Sequence, residues 1–415
     1  MGVAETIAPE TAASRRCLSI IGIGEDGVGG LSEAARELVR SAEIVFGGKR
    51  HLALAAPLIR GAARCWPSPF DRAVEEVLAH RGRRICVLAS GDPYCYGVGS
   101  VLARHIDPRE MLVLPGPSAF SLAAARLGWA LPETTLLSLH ARALDLVRPH
   151  LQPGARVLAL TSDGKAPAAL ARLLAESGFG PSRLTVLEAL GGPRERVRTA
   201  SAVQFDLGAI DDLNVMAIEA TAERGARIIA RAAGLADDLF EHDGQITKRE
   251  VRAITLSSLA PRRGELLWDV GAGAGSVAIE WMLADPSLRA IAIERMAERA
   301  ARIRRNAAAL GAPALRVVES AAPEALDHLP PPGAIFVGGG ASDPGVLDKA
   351  LGALSSGGRL VVNAVTLATE SLLLERHARL GGELTRIGIA RAAPMGGETG
   401  WRPALPVTQW TWVKP

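Results

Sequence analysis

The sequence predicts an α/β protein of two successive blocks, the first with two lobes and the second a doubly wound sheet. Two observations predict this fold class. Apolar runs that end in glycine alternate with segments of helical periodicity, which is typical of parallel strands covered by helices. The chain also has 415 residues, more than one ordinary hydrophobic core accommodates. Neither block repeats the other, so the sequence indicates a fusion and not a duplication.

In the first block, strands are predicted at the apolar runs, and PGPS at 115–118 is predicted to connect the two lobes. The first lobe has a helix at 31–42 and strands at 17–24, 43–48, 83–93 and 111–120. The second lobe is predicted as a mixed sheet, because some of its strands are only loosely separated. It has a helix at 166–178 and strands at 134–140, 155–164, 183–192, 196–205 and 214–220.

A charged segment at 221–238, predicted as a helix or a linker, leads into the second block. Thr247 is predicted as the N-cap of a helix over 247–259, with Glu250 completing a capping box. The strand and loop ELLWDVGAGAG follow, and further parallel strands are predicted at 288–295, 333–340 and 357–365. The predicted domains are 16–222 and 236–415, joined by a linker at 223–235.

The composition indicates a soluble protein with a well-buried core. Hydrophobic residues make up 48% and charged residues 22% of the chain, and the formal net charge of +3 leaves no global field that would attract nucleic acid. No apolar stretch reaches membrane-spanning length, and the first residues lack the apolar core of a signal peptide. We therefore expect a cytoplasmic protein without a nucleic-acid or membrane partner, and a disordered tail over residues 1–15.

The metal-binding residue types form no recognisable site. The 4 cysteines include no CxxC pair, and the 8 histidines form no HxxxH or HExxH motif. We therefore expect the cysteines to be reduced thiols and the protein to bind no metal ion.

The segment WDVGAGAGSVAIEW (268–281) is the strongest functional signal. A dinucleotide fingerprint would have its third glycine at Ser276. Asp269 would repel a pyrophosphate but favours an amino group and a sulfonium, so S-adenosylmethionine fits better. Glu294 follows at the end of the next strand, where an acid reaches ribose hydroxyls. The alternative is a tight turn beside a surface glutamate.

This second block resembles the class I, Rossmann-like methyltransferases. DGQITKREVRAITLSSL (243–259), ESAAPEAL (319–326), IFVGGG (335–340) and LVVNAVTLATE (360–370) further resemble the decarboxylating precorrin methyltransferases of cobalamin biosynthesis. In that family an acid often precedes Ala322, whereas this chain has Ala321, which leaves adenine recognition to backbone groups. The resemblance implies cofactor contacts at Thr247, Asp269, Gly271, Ala272, Gly273, Ala274, Gly275, Glu294 and Ala322.

The first block resembles the class III tetrapyrrole methyltransferases, in which two α/β lobes clamp a folded S-adenosylmethionine. GIGEDG (22–27), VFGGKRHL (45–52), ASGDPYCYGVG (89–99) and PGPSAF (115–120) carry this resemblance. The first loop of that family commonly reads GxGPG, whereas here Glu25 and Asp26 follow the second glycine. The resemblance implies cofactor contacts at Gly22, Gly24, Gly91, Asp92, Tyr94, Gly97, Thr161 and Ser162.

The order of the blocks resembles bifunctional enzymes of cobalamin biosynthesis. The resemblance implies two S-adenosylmethionine sites, methylation of a precorrin at carbons 5 and 15, and decarboxylation of its ring C acetate. An alternative keeps only the second block catalytic, with the first as a tetrapyrrole-binding or assembly module. A nucleic-acid methyltransferase is disfavoured, because the strand ends in IFVGGG and aromatic residues are 4% of the chain.

A precorrin carries many carboxylates, so basic residues near the predicted cofactor loops are possible anchors. A solvated surface position is the alternative for each of them, and no catalytic residue is assigned. We also expect a homo-oligomer. The predicted substrate-binding residues are Lys49, Arg50, His51, Lys248, Arg249 and Arg391.

Overall fold

The computed structural model describes residues 17–67 and 70–415, so the predicted tail at 1–15 lies outside the described residues. Contacts between Cα atoms divide the chain into two compact units. The first unit ends at Arg224, and the second unit contains Gly225–Pro415. The second unit also includes Ala143–Gln152, which the sequence placed in the first block.

The first sheet of the first unit is fully parallel, with strand order β3-β2-β4-β1-β5. Its central strands are buried apolar runs, as expected for a sheet covered on both faces. The strands are β1 (Leu18–Ile23), β2 (Ile44–Gly47), β3 (Ala62–Cys65), β4 (Ile85–Ser90) and β5 (Met111–Leu114). The helices are α1 (Glu33–Ser41), α2 (Lys49–Ala55), α3 (Ala73–Leu78) and α4 (Val98–Leu102).

The second sheet of the first unit is mixed, with order β6-β7-β10-β8-β9. The helix that follows residues 115–118 packs Phe120 against Leu158 and Val215 of this sheet, so the PGPS segment joins the two sheets. The strands are β6 (Thr134–Ser138), β7 (Arg156–Leu160), β8 (Arg183–Glu188), β9 (Arg196–Ser201) and β10 (Asn214–Glu219). The helices are α5 (Ala119–Leu127) and α6 (Ala166–Glu176).

The second unit contains a seven-stranded sheet of order β13-β12-β11-β14-β15-β19-β16. Leu267 and Trp268, neighbours on β11, are buried in different hydrophobic clusters, because successive strand residues point to opposite faces. The strands of this sheet are β11 (Leu266–Val270), β12 (Arg289–Glu294), β13 (Arg316–Glu319), β14 (Ala334–Val337), β15 (Arg359–Ala364), β16 (Glu383–Ile387) and β19 (Val407–Val413). The helices are α7 (Arg249–Leu259), α8 (Ser276–Ala284), α9 (Ala297–Ala309), α10 (Val346–Ala353) and α11 (Leu367–Leu380).

A separate hairpin of β17 (Ala390–Met395) and β18 (Glu398–Pro403) lies between β16 and β19 in sequence. The sequence does not predict this hairpin, because its strands are mostly exposed and have no apolar run.

The predicted capping box is wrong. Helix α7 begins at Arg249, its N-cap is Lys248, and no side chain caps it. Thr247 instead offers its backbone carbonyl to the Arg252 side chain, and Glu250 pairs with Arg391. The segment at 221–238 contains no α-helix, and its Ile229 is buried in the core of the second unit.

Candidate functional site

The carboxyl ends of β11, β12, β14 and β15 border a cavity of about 870 Å³ in the second unit. Open α/β sheets bind ligands at this edge, where the chain leaves each strand for a helix. The cavity is lined by the glycine loop after β11, Glu294 at the end of β12, and Gly338, Gly339 and Gly340 after β14. Its volume suits a cofactor together with part of a second ligand.

The glycines of the loop after β11 are required by backbone geometry. Gly271 has a φ of +69°, and a Cβ there would lie 2.6 Å from the carbonyl oxygen of Gly339. Gly275 has a φ of +75°, and a Cβ there would lie 2.7 Å from Cγ2 of Ile303. Any side chain would therefore force apart the two loops or the helix packed behind them.

Glu294 connects the end of β12 to the glycine loop. Its Oε2 accepts a hydrogen bond from the backbone amide of Gly273 at 3.0 Å, and its Oε1 accepts one from the amide of Met296 at 3.0 Å. The residue is 5% exposed and lines the cavity. Because each carboxylate oxygen has a second lone pair, Glu294 can still accept hydrogen bonds from a ligand.

Asp269 is buried between β11 and α8 and does not line the cavity. It is 1% exposed, its Oδ2 accepts a hydrogen bond from the amide of Ala278 at 3.1 Å, and its Oδ1 has no partner among the described residues. Burial, with a smaller contribution from the nearby Glu294 charge, raises its pKa to about 7. Asp269 therefore connects β11 to α8, the helix that follows the glycine loop.

The other predicted site residues of the second unit also fall into two groups, those that line the cavity and those that do not. Ala274, Gly275 and Arg249 do not line the cavity, because the first two are buried at the start of α8 and Cγ of Arg249 lies beside Gly234. The predicted residues that do line it are Thr247, Lys248, Gly271, Ala272, Gly273, Glu294, Ala322 and Arg391. Asn363, Val365, Arg402 and Leu405 also line the cavity and were not predicted.

A buried ion pair holds the segment before α7. The Arg252 side chain is fully buried, and its Nε lies 2.5 Å from Oε1 of Glu280. Arg252 also donates to the carbonyl of Thr247 at 2.5 Å, while Glu280 accepts from the amides of Gly234 and Leu235 at 2.6 and 3.0 Å. This pair connects α8 to the cavity-lining Thr247.

The first unit brings the loops after β1, β4 and β5 together at one edge of its parallel sheet. A Cβ on Gly22 would lie 1.8 Å from the carbonyl oxygen of Gly91 and 2.4 Å from the amide nitrogen of Gly116. Gly22 and Gly91 therefore belong to one tightly packed loop cluster, where two of the predicted cofactor residues meet.

The remaining predicted residues after β4 form a compact turn. The carboxylate of Asp92 accepts a hydrogen bond from the amide of Tyr94 at 2.8 Å, and Tyr94 is 46% exposed. Gly97 is the N-cap of α4, where a Cβ would lie 2.6 Å from the carbonyl oxygen of Pro93. At Gly24, by contrast, a Cβ would meet only the flexible side chain of Asp26 as a close neighbour.

Glu25 ties the first loop to both sheets of the first unit. Its carboxylate pairs with Arg50 on α2 and lies 3.5 Å from Nη2 of Arg194, which follows β8. Nη2 of Arg50 also lies 2.7 Å from Oγ of Ser90, at the end of β4. The residue that departs from the family pattern is thus a largely buried counter-ion for two arginines.

The other predicted anchors of this unit differ in exposure. Lys49 is exposed at the start of α2. His51 contacts Ser90 at 2.8 Å, and burial together with the Arg50 charge lowers its pKa to about 4, so its imidazole is neutral at pH 7.

The hydroxyls of Thr161 and Ser162 are used within the unit. Thr161 is buried and donates to Oδ1 of Asn214 at 2.7 Å, and Oγ of Ser162 accepts from the amide of Ala141 at 2.9 Å. Ser162 is nevertheless exposed, whereas Thr161 is not.

Among the described residues, no group of three or more histidine, cysteine or acidic side chains could hold a metal ion. No helix in this part of the chain is both long and apolar enough to cross a membrane. The cysteines Cys17, Cys65, Cys86 and Cys95 are free.

Comparison with known families identifies both units as methyltransferase folds. Residues 18–206 match the family model of Tetrapyrrole (Corrin/Porphyrin) Methylases, and residues 238–414 match that of the Precorrin methyltransferase domain. The chain is therefore an enzyme of the S-adenosylmethionine-dependent C-methyltransferase class. It is 63% identical over 397 residues to a precorrin-6Y C(5,15)-methyltransferase [decarboxylating] from Sinorhizobium sp, covering 96% of each chain. The chain belongs to the family of decarboxylating precorrin-6Y C(5,15)-methyltransferases.

Two shorter relatives each match less than half of the chain. A cobalt-precorrin-7 C(5)-methyltransferase from Salmonella typhimurium is 31% identical over 192 residues, which is 46% of this chain and 94% of the relative. A probable cobalt-precorrin-6B C(15)-methyltransferase (decarboxylating) from Pyrobaculum calidifontis is 36% identical over 169 residues, which is 39% of this chain and 87% of the relative.

Proposed function

We propose that the chain is a bifunctional methyltransferase with one S-adenosylmethionine site in each unit. The first unit methylates carbon 5 of a precorrin, and the second methylates carbon 15 of precorrin-6B and decarboxylates the ring C acetate. The observation that carries this proposal is that each unit independently packs glycine-lined loops at the carboxyl edge of a parallel sheet. The shorter relatives, whose names divide the same activities between separate proteins, support the division.

The cavity of the second unit fits S-adenosylmethionine. Glu294 presents carboxylate lone pairs at the end of β12, where ribose hydroxyls can donate to them. The glycine loop admits a ligand close to its backbone, because Gly271 and Gly273 carry no side chain. Ser320, Ala321 and Ala322 leave backbone groups for the adenine.

Bound S-adenosylmethionine supplies a methyl group on a sulfonium, which a nucleophilic ring carbon takes up as the sulfur–methyl bond breaks. The protein has to hold the two partners in line and exclude water. The loops after β11 and β14 fix one partner, and Ile387, Ile389 and Val407 provide an apolar wall for the other. These residues position the substrates without acting as acid or base.

The decarboxylation breaks the bond between the acetate methylene and the carboxylate carbon. The electron pair passes into the conjugated macrocycle, which then takes up a proton, and carbon dioxide leaves. An apolar environment favours this step because it destabilises the charged carboxylate more than the neutral product. Basic residues such as Lys248 and Arg391 hold the other carboxylates at the cavity.

The alternative function makes the first unit a tetrapyrrole-binding or assembly module. The pairing of Arg50 with Glu25 favours this alternative, since it occupies a predicted substrate anchor within the protein. Counting cofactor sites separates the two functions.

The test is calorimetric titration of the full chain with S-adenosylhomocysteine. The Gly24→Trp and Gly273→Trp variants fill the first and second loops, respectively. Gly29→Trp and Gly357→Trp are matched controls: no heavy atom lies within 4 Å of a Cβ at either position, and Gly357 has a φ of +76° against +58° at Gly273.

We expect two sites in the wild type. Each loop variant should lose one of them, and the controls should retain both. A single site that only Gly273→Trp abolishes would support the alternative. No site in the wild type would contradict the methyltransferase function itself.

We further propose a cytoplasmic location, which the free cysteines suit, and assembly into a homo-oligomer, to be tested by light scattering.

A further inference from the structure

Two arginines lie opposite each other on the hairpin that borders the cavity of the second unit. In the antiparallel pairing of β17 with β18, Arg391 is the register partner of Arg402. Both residues line the cavity, together with Ala393. Ala392 and Trp401, the next pair along, do not line it, whereas Pro403 beside Arg402 does.

This arrangement has an electrostatic cost that an anionic partner would remove. Like charges directly opposite each other destabilise an antiparallel pair, and an isolated two-stranded hairpin is only marginally stable. Arg391 is compensated, because its Nη2 lies 2.6 Å from Oε2 of Glu250 and 4.0 Å from Oδ2 of Asp237. Arg402 is exposed and has no hydrogen-bond or ion-pair partner within the described part of the chain.

Two exposed apolar side chains also line the cavity of the second unit. Leu405 is 75% exposed and Val365 is 59% exposed, and both line the cavity. Exposed apolar surface next to the guanidinium group of Arg402 suits a flat ligand with an apolar face and carboxylates at its rim.

We propose that Arg402 is a substrate-positioning residue of the second unit that binds a peripheral carboxylate of the tetrapyrrole. Arg391 lies opposite Arg402 in the hairpin, but its guanidinium group is engaged by Glu250. The hairpin β17–β18 is then the carboxylate-recognition element of this active site. The inference rests on the proposed function in one respect, namely that the substrate is a tetrapyrrole bearing carboxylates.

The experiment uses uroporphyrin, a stable porphyrin with carboxylate side chains, as the probe. The full chain carrying Arg50→Gln is titrated by absorbance and fluorescence, so that a predicted anchor of the first unit is removed from every sample. Arg402→Gln is then added to this background. Arg379→Gln is the matched control, because Arg379 is exposed on α11 and does not line the cavity. Titration with S-adenosylhomocysteine checks whether each variant keeps its affinity for the cofactor product.

We expect Arg402→Gln to weaken uroporphyrin binding at least about tenfold, with Arg402→Lys intermediate because it keeps the charge but loses the planar fork. Glu250→Gln should strengthen binding, since it releases Arg391. Arg379→Gln should change nothing, and S-adenosylhomocysteine affinity should stay constant throughout.

Equal uroporphyrin binding with and without Arg402→Gln would overturn the inference, as would the same loss in Arg379→Gln or an absence of uroporphyrin binding before Arg402 is changed. Loss of S-adenosylhomocysteine binding in Arg402→Gln alone would also overturn it, because Arg402 would then act on the cofactor site. A wild type that binds no S-adenosylhomocysteine would instead contradict the proposed function.

Discussion

Glu294 accepts a hydrogen bond from the backbone amide of Gly273 across 3.0 Å, so the carboxylate proposed to hold a ribose also fixes the glycine loop. In Glu294→Gln, an amide NH₂ group replaces one of two oxygens that face backbone donors. Loss of a charged acceptor costs about 1.5–3 kcal/mol, which corresponds to roughly tenfold to hundredfold weaker binding. Calorimetric titration with S-adenosylhomocysteine measures this change at the second site.

Glu319→Gln is the matched control for Glu294→Gln. Glu319 is the register partner of Glu294 on β13, but its side chain is 45% exposed. Its ion pair with Arg304, at 3.9 Å, is long and lies at the surface. We expect no change in affinity, since exposed ion pairs contribute little. Equal effects of the two substitutions would remove the special role of Glu294.

Asp269 makes the stability of the cofactor-free protein depend on pH. Its pKa is about 7 in the folded state against an ordinary value of 3.8, so the folded state binds more protons between these values. Stability therefore falls as pH rises from about 4 to about 7. Relative to Asp269→Asn, the free energy of unfolding of the wild type should decline over this range and then level off.

Asp285 provides a control of opposite sign. Hydrogen bonds from Ser287 lower the pKa of its carboxyl, so its contribution is present above the ordinary pKa and is lost as pH falls. Denaturant unfolding of Asp285→Asn at several pH values should show this opposite trend. A flat difference between wild type and Asp269→Asn would contradict the raised pKa of Asp269.

Gly22→Ala should disrupt the first unit. The added methyl group would lie 1.8 Å from the Gly91 carbonyl oxygen, and backbone atoms cannot move aside as a flexible side chain would. Overpacking of this kind costs about 1–3 kcal/mol or more. Gly29→Ala, where a Cβ meets nothing within 4 Å, should leave the thermal transition unchanged. Similar melting temperatures for both variants would show that the loop cluster yields easily.

Arg252→Leu should destabilise the second unit by about 3–5 kcal/mol, because it leaves the buried Glu280 carboxylate without its charge partner. Arg263→Leu is the matched control, since Arg263 is 87% exposed and lies 4.0 Å from Asp285. It should cost less than about 1 kcal/mol. Urea unfolding compares the two, and equal losses would mean that burial of the Arg252 pair does not matter.

The sequence could predict the central parallel strands because they are buried apolar runs. Strands β3, β13, β16, β17, β18 and β19 were missed, and of these β3, β17 and β18 are exposed along most of their length. The capping box failed for another reason. Tertiary partners, Arg252 for the Thr247 carbonyl and Arg391 for Glu250, replaced the local interactions that the motif predicts.

The candidate site is likewise predictable from the sequence only in part. The glycine loop and Glu294 are predictable, because neighbouring parallel strands bring them to one edge of the sheet. Local sequence does not reveal that Asp269 is buried beneath α8, since that depends on the packing of α8 over β11. Arg402 lies on the hairpin and Leu405 follows it in the chain, so their place at the cavity depends on long-range topology.

The two units should respond differently to ionic strength. The Glu25 bridge depends on Arg194, whose side chain is 63% exposed, and at physiological salt charges are screened over about 8 Å. The pair of Arg252 with Glu280 is shielded from mobile ions by its burial. Added salt should therefore loosen the connection between the two sheets of the first unit while the second unit stays intact, which gives a simple way to perturb one half of the enzyme at a time.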